Sequence, residues 1–215
     1  MDHFTGIVKS ELAAKEKFRD AVKAGMLAIL CSKSFLFITE GDANANRATL
    51  NDWEIASRLS YLLWSSMPDD ELLRLAERKQ LGTPAVLDAQ VKRMLLDKRA
   101  DAMVANFAGQ GLYLRNVRTV TPIADEFPDF DDDLRQALRR ETELLFGAVM
   151  REDRSVVDLL TADFTFVNER LAKHYGIPNI LGDQYRRVTI ADPNRRGVLG
   201  QGSVLLLTSI ADRTS

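Results

Sequence analysis

The stretch DDDLRQALRRETELLFGAVMR, residues 131–151, decides how this chain is read. Three aspartates open it, where the positive end of a helix dipole favours carboxylates. Leu134, Leu138, Leu145 and Val149 recur at helical spacing and form one stripe, widened by Thr142, Phe146 and Met150. The spacing predicts the longest helix of the chain over Asp131 to Arg151.

Similar signals surround it. Asn51, with Glu54 three residues later, has the form of a capping box and predicts a helix to about Trp64. Ser65-Ser66-Met67-Pro68 ends that helix, and the acids Asp69, Asp70 and Glu71 begin another to about Arg78. Thr83-Pro84 places a hydroxyl before a first-turn proline and predicts a helix to about Leu96. Asp97 caps a further helix running to Leu114, whose alanines and glycines permit close approach. Asn168 caps a short helix that Gly176 ends and Pro178 keeps from resuming. Upstream, Glu11 to Leu30 reads as one helix, Phe35 to Ile38 as an apolar run of undetermined state, and Glu40 to Thr49 as an exposed loop. Tyr185 to Ile190 reads as a short extended segment. The expected fold is all-α, an irregular helical bundle with short extended segments.

Composition agrees with that class. Twelve Gly and six Pro in 215 residues fall below the roughly 12% of an average chain. Apolar types make up 46% and charged types 28%, a globular balance. A single Cys excludes an internal disulfide, a four-Cys zinc site and a haem attachment pair within this chain. Lys and Arg number 29 against 31 Asp and Glu, which argues against a nucleic-acid partner or an anionic membrane surface. No apolar run is long enough to make a membrane-spanning segment, and Met1 to Phe4 does not open a secretion signal.

Three strings carry a family resemblance. They are ASRLSYLLWSSMPD (56–69), DRSVVDLL (153–160) continuing through TFVNERL (165–171) to HYGIP (174–178), and RRGVLGQGSVL (195–205) with the final RTS (213–215). Together they resemble the large uncharacterised planctomycete and myxobacterial proteins that carry DUF1595, DUF1592 and DUF1588 domains. The resemblance implies a DUF1595-like segment over 1–64, a DUF1592-like domain over 56–180, and a DUF1588-like domain that begins at 195 and breaks off at 215. In that family the last motif continues with Pro-Val and an Arg-Gly-x-Trp string, so the chain reads as C-terminally truncated. Relatives often carry a secretion signal and a cytochrome-like domain with a Cys-x-x-Cys-His motif. The resemblance therefore implies an exported or periplasmic setting and haem c in a separate domain, with no cofactor in this chain. It brings no activity that can be carried onto residues.

Candidate chemistry is sparse. His174 sits in the last turn before Gly176, where an imidazole suits the dipole. Five residues separate it from Glu169, so the two do not stack on one helix face. A structural role is the reading, with acid–base or metal chemistry as its alternative. The acids Asp125, Glu126, Asp129 and Asp131 to Asp133 lack the spacing and central glycine of a calcium loop and read as a helix start. Arg186, Arg187, Arg195, Arg196 and Arg213 read as partners of the acidic helix starts. Arg195, Arg196 and Arg213 are the candidate contacts for an anion or a partner, since guanidinium forks match carboxylate and phosphate. Glu141, Glu169 and His174 are the candidate polar contributors to a site. The glycines 197, 200 and 202 do not match a phosphate loop, and Ser203 lacks the nucleophile-elbow pattern. A close-packed helix start accounts for them. Cys31 reads as a buried small hydrophobe, and Trp53, Tyr61 and Trp64 as core.

The function these observations favour is a non-catalytic helical scaffold or interaction module of a larger, haem-associated exported protein. Its partners would be the missing domains of the same polypeptide or another copy of the chain. Two alternatives remain: part of an enzyme whose site is completed by missing domains, recognisable by a pocket joining Arg195, Arg196 and Arg213 with Glu141 or Glu169, and a regulatory interaction module with an exposed apolar patch. The apolar stretch Val198 to Ile210 should leave surface exposed, with Val204, Leu207 and Leu199 turned to the core and Leu205 and Leu206 turned partly away.

Overall fold

In a computed structural model, residues 2–38, 40–41 and 49–209 are described. The chain divides into two units, Met1–Glu54 and Ile55–Ser215.

The first unit is a helical hairpin. Helix α1 spans Asp2–Ala13 and α2 spans Phe18–Leu30. The single helix expected over Glu11 to Leu30 is therefore two. Lys15 takes a left-handed backbone, φ 65°, and turns the chain back on itself. Gly25 lets the two helices touch, because a Cβ there would stand 2.5 Å from Val8 Cγ2. A short helix, α3 (Lys33–Leu36), follows, after which Phe37 is extended. Cys31 is exposed, not buried as expected. Most of the expected loop Glu40 to Thr49 lies outside the described residues. At its far end the capping box forms as the sequence predicts. The Glu54 amide donates to Asn51 Oδ1 at 2.9 Å, and Glu54 Oε2 accepts from the Asn51 amide at 2.8 Å.

Helix α4 (Asp52–Trp64) carries the chain into the second unit. Within that unit Ala56, Leu63 and Trp64 pack with Leu72 and Ala76 of α5 (Asp70–Glu77) and Met94 of α6 (Pro84–Leu96). Each fully buried Leu or Met contributes about 1.5–3 kcal/mol. The 56–69 string accounts for this packing. The Trp64 indole N–H donates to the Met94 carbonyl at 3.0 Å, and the Arg99 guanidinium lies 3.5 Å over its ring. Asp69 caps α5 through the Leu72 amide and takes both arms of Arg93, at 2.8 and 3.2 Å. Burial pushes the Asp69 carboxyl up, but Arg93, the Leu72 amide and Arg99 outweigh it and hold it below the usual carboxylate range. Trp53 and Tyr61 were expected in this core; both are exposed.

The helix expected from Asp97 to Leu114 is broken in kind. A 3-10 turn, Lys98–Ala100, leads to α7 (Asp101–Met103), a π-helical turn Val104–Ala108 and α8 (Gly109–Gly111). Tyr113 then takes a left-handed conformation, φ 54°. A connector reaches α9 (Asp132–Arg151), the long helix of the sequence reading. Asp131 caps it by accepting from the Leu134 amide at 2.6 Å. Arg135 fastens the connector by donating to the carbonyls of Val117 and Val120.

Helix α9 is the axis of the unit. Its Leu134, Ala137 and Leu138 meet Val167, Leu171 and Ala172, while Leu145 and Val149 meet Ala162 and Phe164. These partners come from α10 (Asp158–Thr161) and the residue after it, β1 (Phe164–Val167) and α11 (Glu169–Tyr175). Asn168 caps α11, and Gly176 ends it at φ 69°. Strand β2 (Arg186–Thr189) falls inside the expected extended segment. It pairs antiparallel with β1, Phe164 opposite Thr189. The fold is a predominantly helical, irregular bundle whose described residues hold this one two-stranded sheet.

The chain returns to α9 through residues 197–201 and a last helix, α12 (Gly202–Thr208). Gly197 has φ 62° and ψ −173°, and its amide donates to the Ala162 carbonyl at 3.0 Å. Val198 is buried and Leu199 is exposed, so Leu199 does not turn to the core as expected. Leu206, expected to point partly away, packs against the Leu134–Leu138 core. The reason lies at Gly202: its Cα faces Leu138 so closely that a Cβ would stand 2.4 Å from Leu138 Cδ2. That contact sets the rotation of α12. Ile210 lies outside the described residues.

Candidate functional site

The α9 stripe carries two polar residues side by side, Glu141 and Thr142, each 1% exposed. A buried carboxylate costs several kcal/mol unless donors surround it, and here they do. Oε1 accepts from the Thr165 hydroxyl of β1 at 2.6 Å, and Oε2 accepts from the Tyr175 hydroxyl of α11 at 2.7 Å. Tyr175 in turn accepts from the Gly202 amide at 2.9 Å. Gln201 Nε2 donates to Thr165 at 3.3 Å, and Gln201 Oε1 accepts from Thr142 at 2.6 Å. Thr142 has one hydroxyl hydrogen and spends it on Gln201, so Ser203, 2.6 Å away, donates to Thr142. Two lines of donors thus run from the 201–203 segment and meet on one carboxylate.

The electrostatics follow from that placement. Burial pushes the Glu141 carboxyl up, to about 7, against the Thr165 and Tyr175 hydrogen bonds and the charge of Arg195. Burial also raises the Tyr175 phenol, with the Glu141 charge adding to it. The Arg195 guanidinium lies 4.5 Å from the Tyr175 ring centre, a cation–π contact. Among the described residues no buried side-chain nitrogen or oxygen lacks a hydrogen-bond partner.

Of the residues singled out in the sequence, the structure gathers Glu141 and Arg195 about Tyr175. His174 stands beside them, exposed, its ring 5.5 Å from that of Tyr175. Partial desolvation and the charges of Arg170 and Arg195 push its imidazole below the ordinary value. Glu169 lies elsewhere, closing a loop by accepting from the Gly182 amide at 2.6 Å. Arg196 is exposed, and no described carboxylate forms an ion pair with Arg195 or Arg196. Arg213 lies outside the described residues. Among the described residues, Arg186, Arg187, Arg195 and Arg196 do not pair with the acidic helix starts as expected. Asp131 takes Arg170, and Arg187 takes Glu152 at the C-terminal end of α9 while stacking 3.6 Å over Phe164.

Clefts among the described residues of this unit include the following pair. One, about 210 Å³, is mostly apolar and is lined by Phe107, Leu112, Leu145, Phe146 and Val198 together with Thr142 of the network. The other, about 320 Å³, is lined by Arg118, Arg135 and Arg139 with Asp132. Neither is lined by Glu141, Glu169, His174, Arg195 or Arg196. Among the described residues no three His, Cys, Asp or Glu side chains stand close enough to hold a metal ion, and no helix is long and apolar enough to cross a membrane.

Thr165, Tyr175, Gln201 and Ser203 were not singled out as site residues. One signal was available: Glu141 stands three residues after Leu138 and seven after Leu134, so it lies on the apolar stripe and must be buried with a partner. Nothing in the spacing names that partner, because its donors, Thr165 and Tyr175, lie 24 and 34 residues away.

No curated protein and no solved structure matches the chain. Residues 50–177, more than half of its length, match the family described as a protein of unknown function, DUF1592. That range runs from the capping box of α4 to the end of α11 and contains the Trp64–Asp69 cluster, the whole of α9 and the Glu141, Thr165 and Tyr175 side chains of the network; the chain belongs to the DUF1592 family.

Proposed function

We propose that the chain is a non-catalytic helical module, a scaffold or interaction piece of a larger protein. In that protein it adjoins DUF1595- and DUF1588-type segments, and haem c belongs to a separate domain of an exported polypeptide. One observation carries the reading. In the hairpin unit the only apolar or glycine positions buried among the described residues are Ala21 and Gly25, whereas Phe18, Met26, Leu27, Leu30, Phe35 and Phe37 are exposed, Phe18 at 72%. Monomeric soluble proteins rarely leave so much large apolar surface open, so a covering partner is called for: a neighbouring domain or another copy. The Glu141 network supports the same reading, since both carboxylate oxygens are spent on internal donors and Glu141 lines neither of the clefts described above.

The competing reading, part of an enzyme completed by other domains, draws on the raised Glu141 carboxyl, because shifted groups gather at functional sites. The test compares this chain with a version extended into its neighbouring domains. Light scattering across concentration and thermal melting are the readouts. The module reading expects the extended form to melt several degrees higher and to self-associate less. Equal melting together with a strictly monomeric short form would count against it.

A further inference from the structure

We propose that Glu141 and the Gln201 side-chain amide form a two-state, proton-operated clasp that fastens residues 197–208 to α9 and β1. The hydrogens of the network can be counted in each state. With the carboxylate ionised, every donor of the network points toward it, in the arrangement described above. When Glu141 takes up one proton from solvent, its new O–H needs an acceptor. Thr165 Oγ1, already 2.6 Å away, can serve if the Thr165 hydrogen turns elsewhere. Turning the Gln201 amide over supplies that acceptor, because its oxygen then faces Thr165 and its nitrogen faces Thr142. Thr142 accepts from that nitrogen and from Ser203, and its own hydrogen goes to the Leu138 carbonyl, which it already faces at 3.5 Å. Tyr175 keeps both of its bonds. Both protonation states are therefore satisfied once the amide turns over and Thr142 closes on the Leu138 carbonyl from its present 3.5 Å.

The two states differ in how tightly they hold the segment. The ionised form buries a charge, and beyond hydrogen bonds the packed elements offer it little opposite charge. Arg195, from the turn before Gly197, reaches it across the Tyr175 ring. Helix α11 presents Tyr175, and Tyr185, ahead of β2, lies within electrostatic reach. Strand β1 and residues 201–203 present only uncharged groups. When the segment lifts away, Glu141 returns to water and to an ordinary carboxyl value. Proton release thus favours the lifted state, and proton uptake favours the closed one. With an ordinary value of 4.5 when lifted and about 7 when closed, the change runs between those two pH values and levels off above the upper one.

The test is amide hydrogen exchange on the full chain at pH 5 and 8.5, corrected for the intrinsic pH dependence of exchange. In the native protein the opening constant for Val204 and Leu205, whose amides bond to the Gln201 carbonyl, should rise on the order of a hundredfold. In Glu141→Gln it should stay level. A level native profile, or an unchanged rise in the variant, overturns the clasp. Should Glu141→Gln fail to fold, Thr165→Val keeps the shape and removes one donor from the carboxylate. Its transition should then move to higher pH, and a midpoint left in place overturns the proposal. A side-chain amide resonance of Gln201 that does not titrate together with the Glu141 carboxyl carbon also overturns it.

Discussion

Replacing Gly197 by alanine should cost about 3–5 kcal/mol, a sum of strain, one hydrogen bond and lost burial. The residue sits at φ 62° and ψ −173°, a region that side chains enter at about 1–3 kcal/mol. An added Cβ would stand 2.2 Å from the Leu160 carbonyl oxygen and 2.3 Å from its carbon. Both are backbone atoms, so relief needs a shift on the order of 1 Å, close to the difference from an ordinary van der Waals contact. Such a shift breaks the Gly197–Ala162 hydrogen bond, about 1 kcal/mol, and draws Val198 partly out of its buried seat, a fraction of about 1.5–3 kcal/mol. A domain of ordinary stability holds about 5–15 kcal/mol, so the variant should fold but melt roughly 10 °C lower. Urea titration followed by tryptophan fluorescence reads the change, because Trp64 is buried in the second unit. Gly109→Ala is the matched control: its Cβ meets nothing within 4 Å in a helical turn, so it should be neutral or stabilising by up to about 1 kcal/mol. A Gly197→Ala loss below about 1 kcal/mol, or a Gly109→Ala loss as large as that of Gly197→Ala, would refute the reasoning.

Other expectations follow from the same geometry. Trp64→Phe leaves the Met94 carbonyl without its indole donor and weakens the Arg99 stack, and should cost about 2–3 kcal/mol in denaturant unfolding. Asp69→Ala removes the α5 cap and orphans the Arg93 fork, for a loss of about 1–3 kcal/mol. Asp69 and Asp131 have depressed carboxyls in the folded state. Their stabilisation is present above the ordinary carboxyl range and is lost as pH falls through the folded values, so Asp69→Asn should flatten part of the acid limb below about pH 4. Glu141 has the opposite sign. Its folded value near 7 against an ordinary 4.5 means that stability is greatest below the unfolded value and declines as pH rises toward 7, by about 3 kcal/mol in total. Urea midpoints from pH 5 to 8 should fall for the native chain and stay level for Glu141→Gln.

What the sequence made legible was whatever rests on neighbouring residues. The Asn51–Glu54 box, the Asn168 cap, the acidic helix starts at Asp69 and Asp131 and the Gly176 stop are features within three or four positions or a single residue's backbone freedom, and each formed. The errors came where distance decides. Lys15 breaks the first helix although its neighbours are good helix formers, since closing the hairpin on Gly25 outweighs local propensity. The Asp97–Leu114 segment has helical composition, yet Val104–Ala108 is π-helical, a change of hydrogen-bond spacing to which composition is blind. The rotation of α12 depends on Leu138, more than sixty residues earlier, so the side taken by Leu206 could not be read from spacing alone.

The range of the family match and the extent of the buried network differ for the same reason of distance. The range, 50–177, holds Glu141, Thr142, Thr165 and Tyr175, four members of the network. The others, Gln201, Gly202 and Ser203, lie beyond it, as does β2, the partner of β1. A chain ending at residue 180 would retain the Glu141 carboxylate and its two direct donors. It would lose the groups that fill the remaining hydrogen-bonding positions of Thr142, Thr165 and Tyr175, and the strand that covers Thr165. An unsatisfied buried polar group costs about 1–3 kcal/mol, and three are created at once, together with the exposure of the Leu134–Leu138 core that Leu206 now packs against. A polypeptide of residues 50–180 should therefore unfold far more easily than one of residues 50–209, with a melting temperature lower by well over 10 °C or no cooperative transition at all. Circular dichroism melting of the two forms decides it. Equal melting would mean that the returning segment is an appendage and that the hydrogen-bond network contributes little to holding α9 in place.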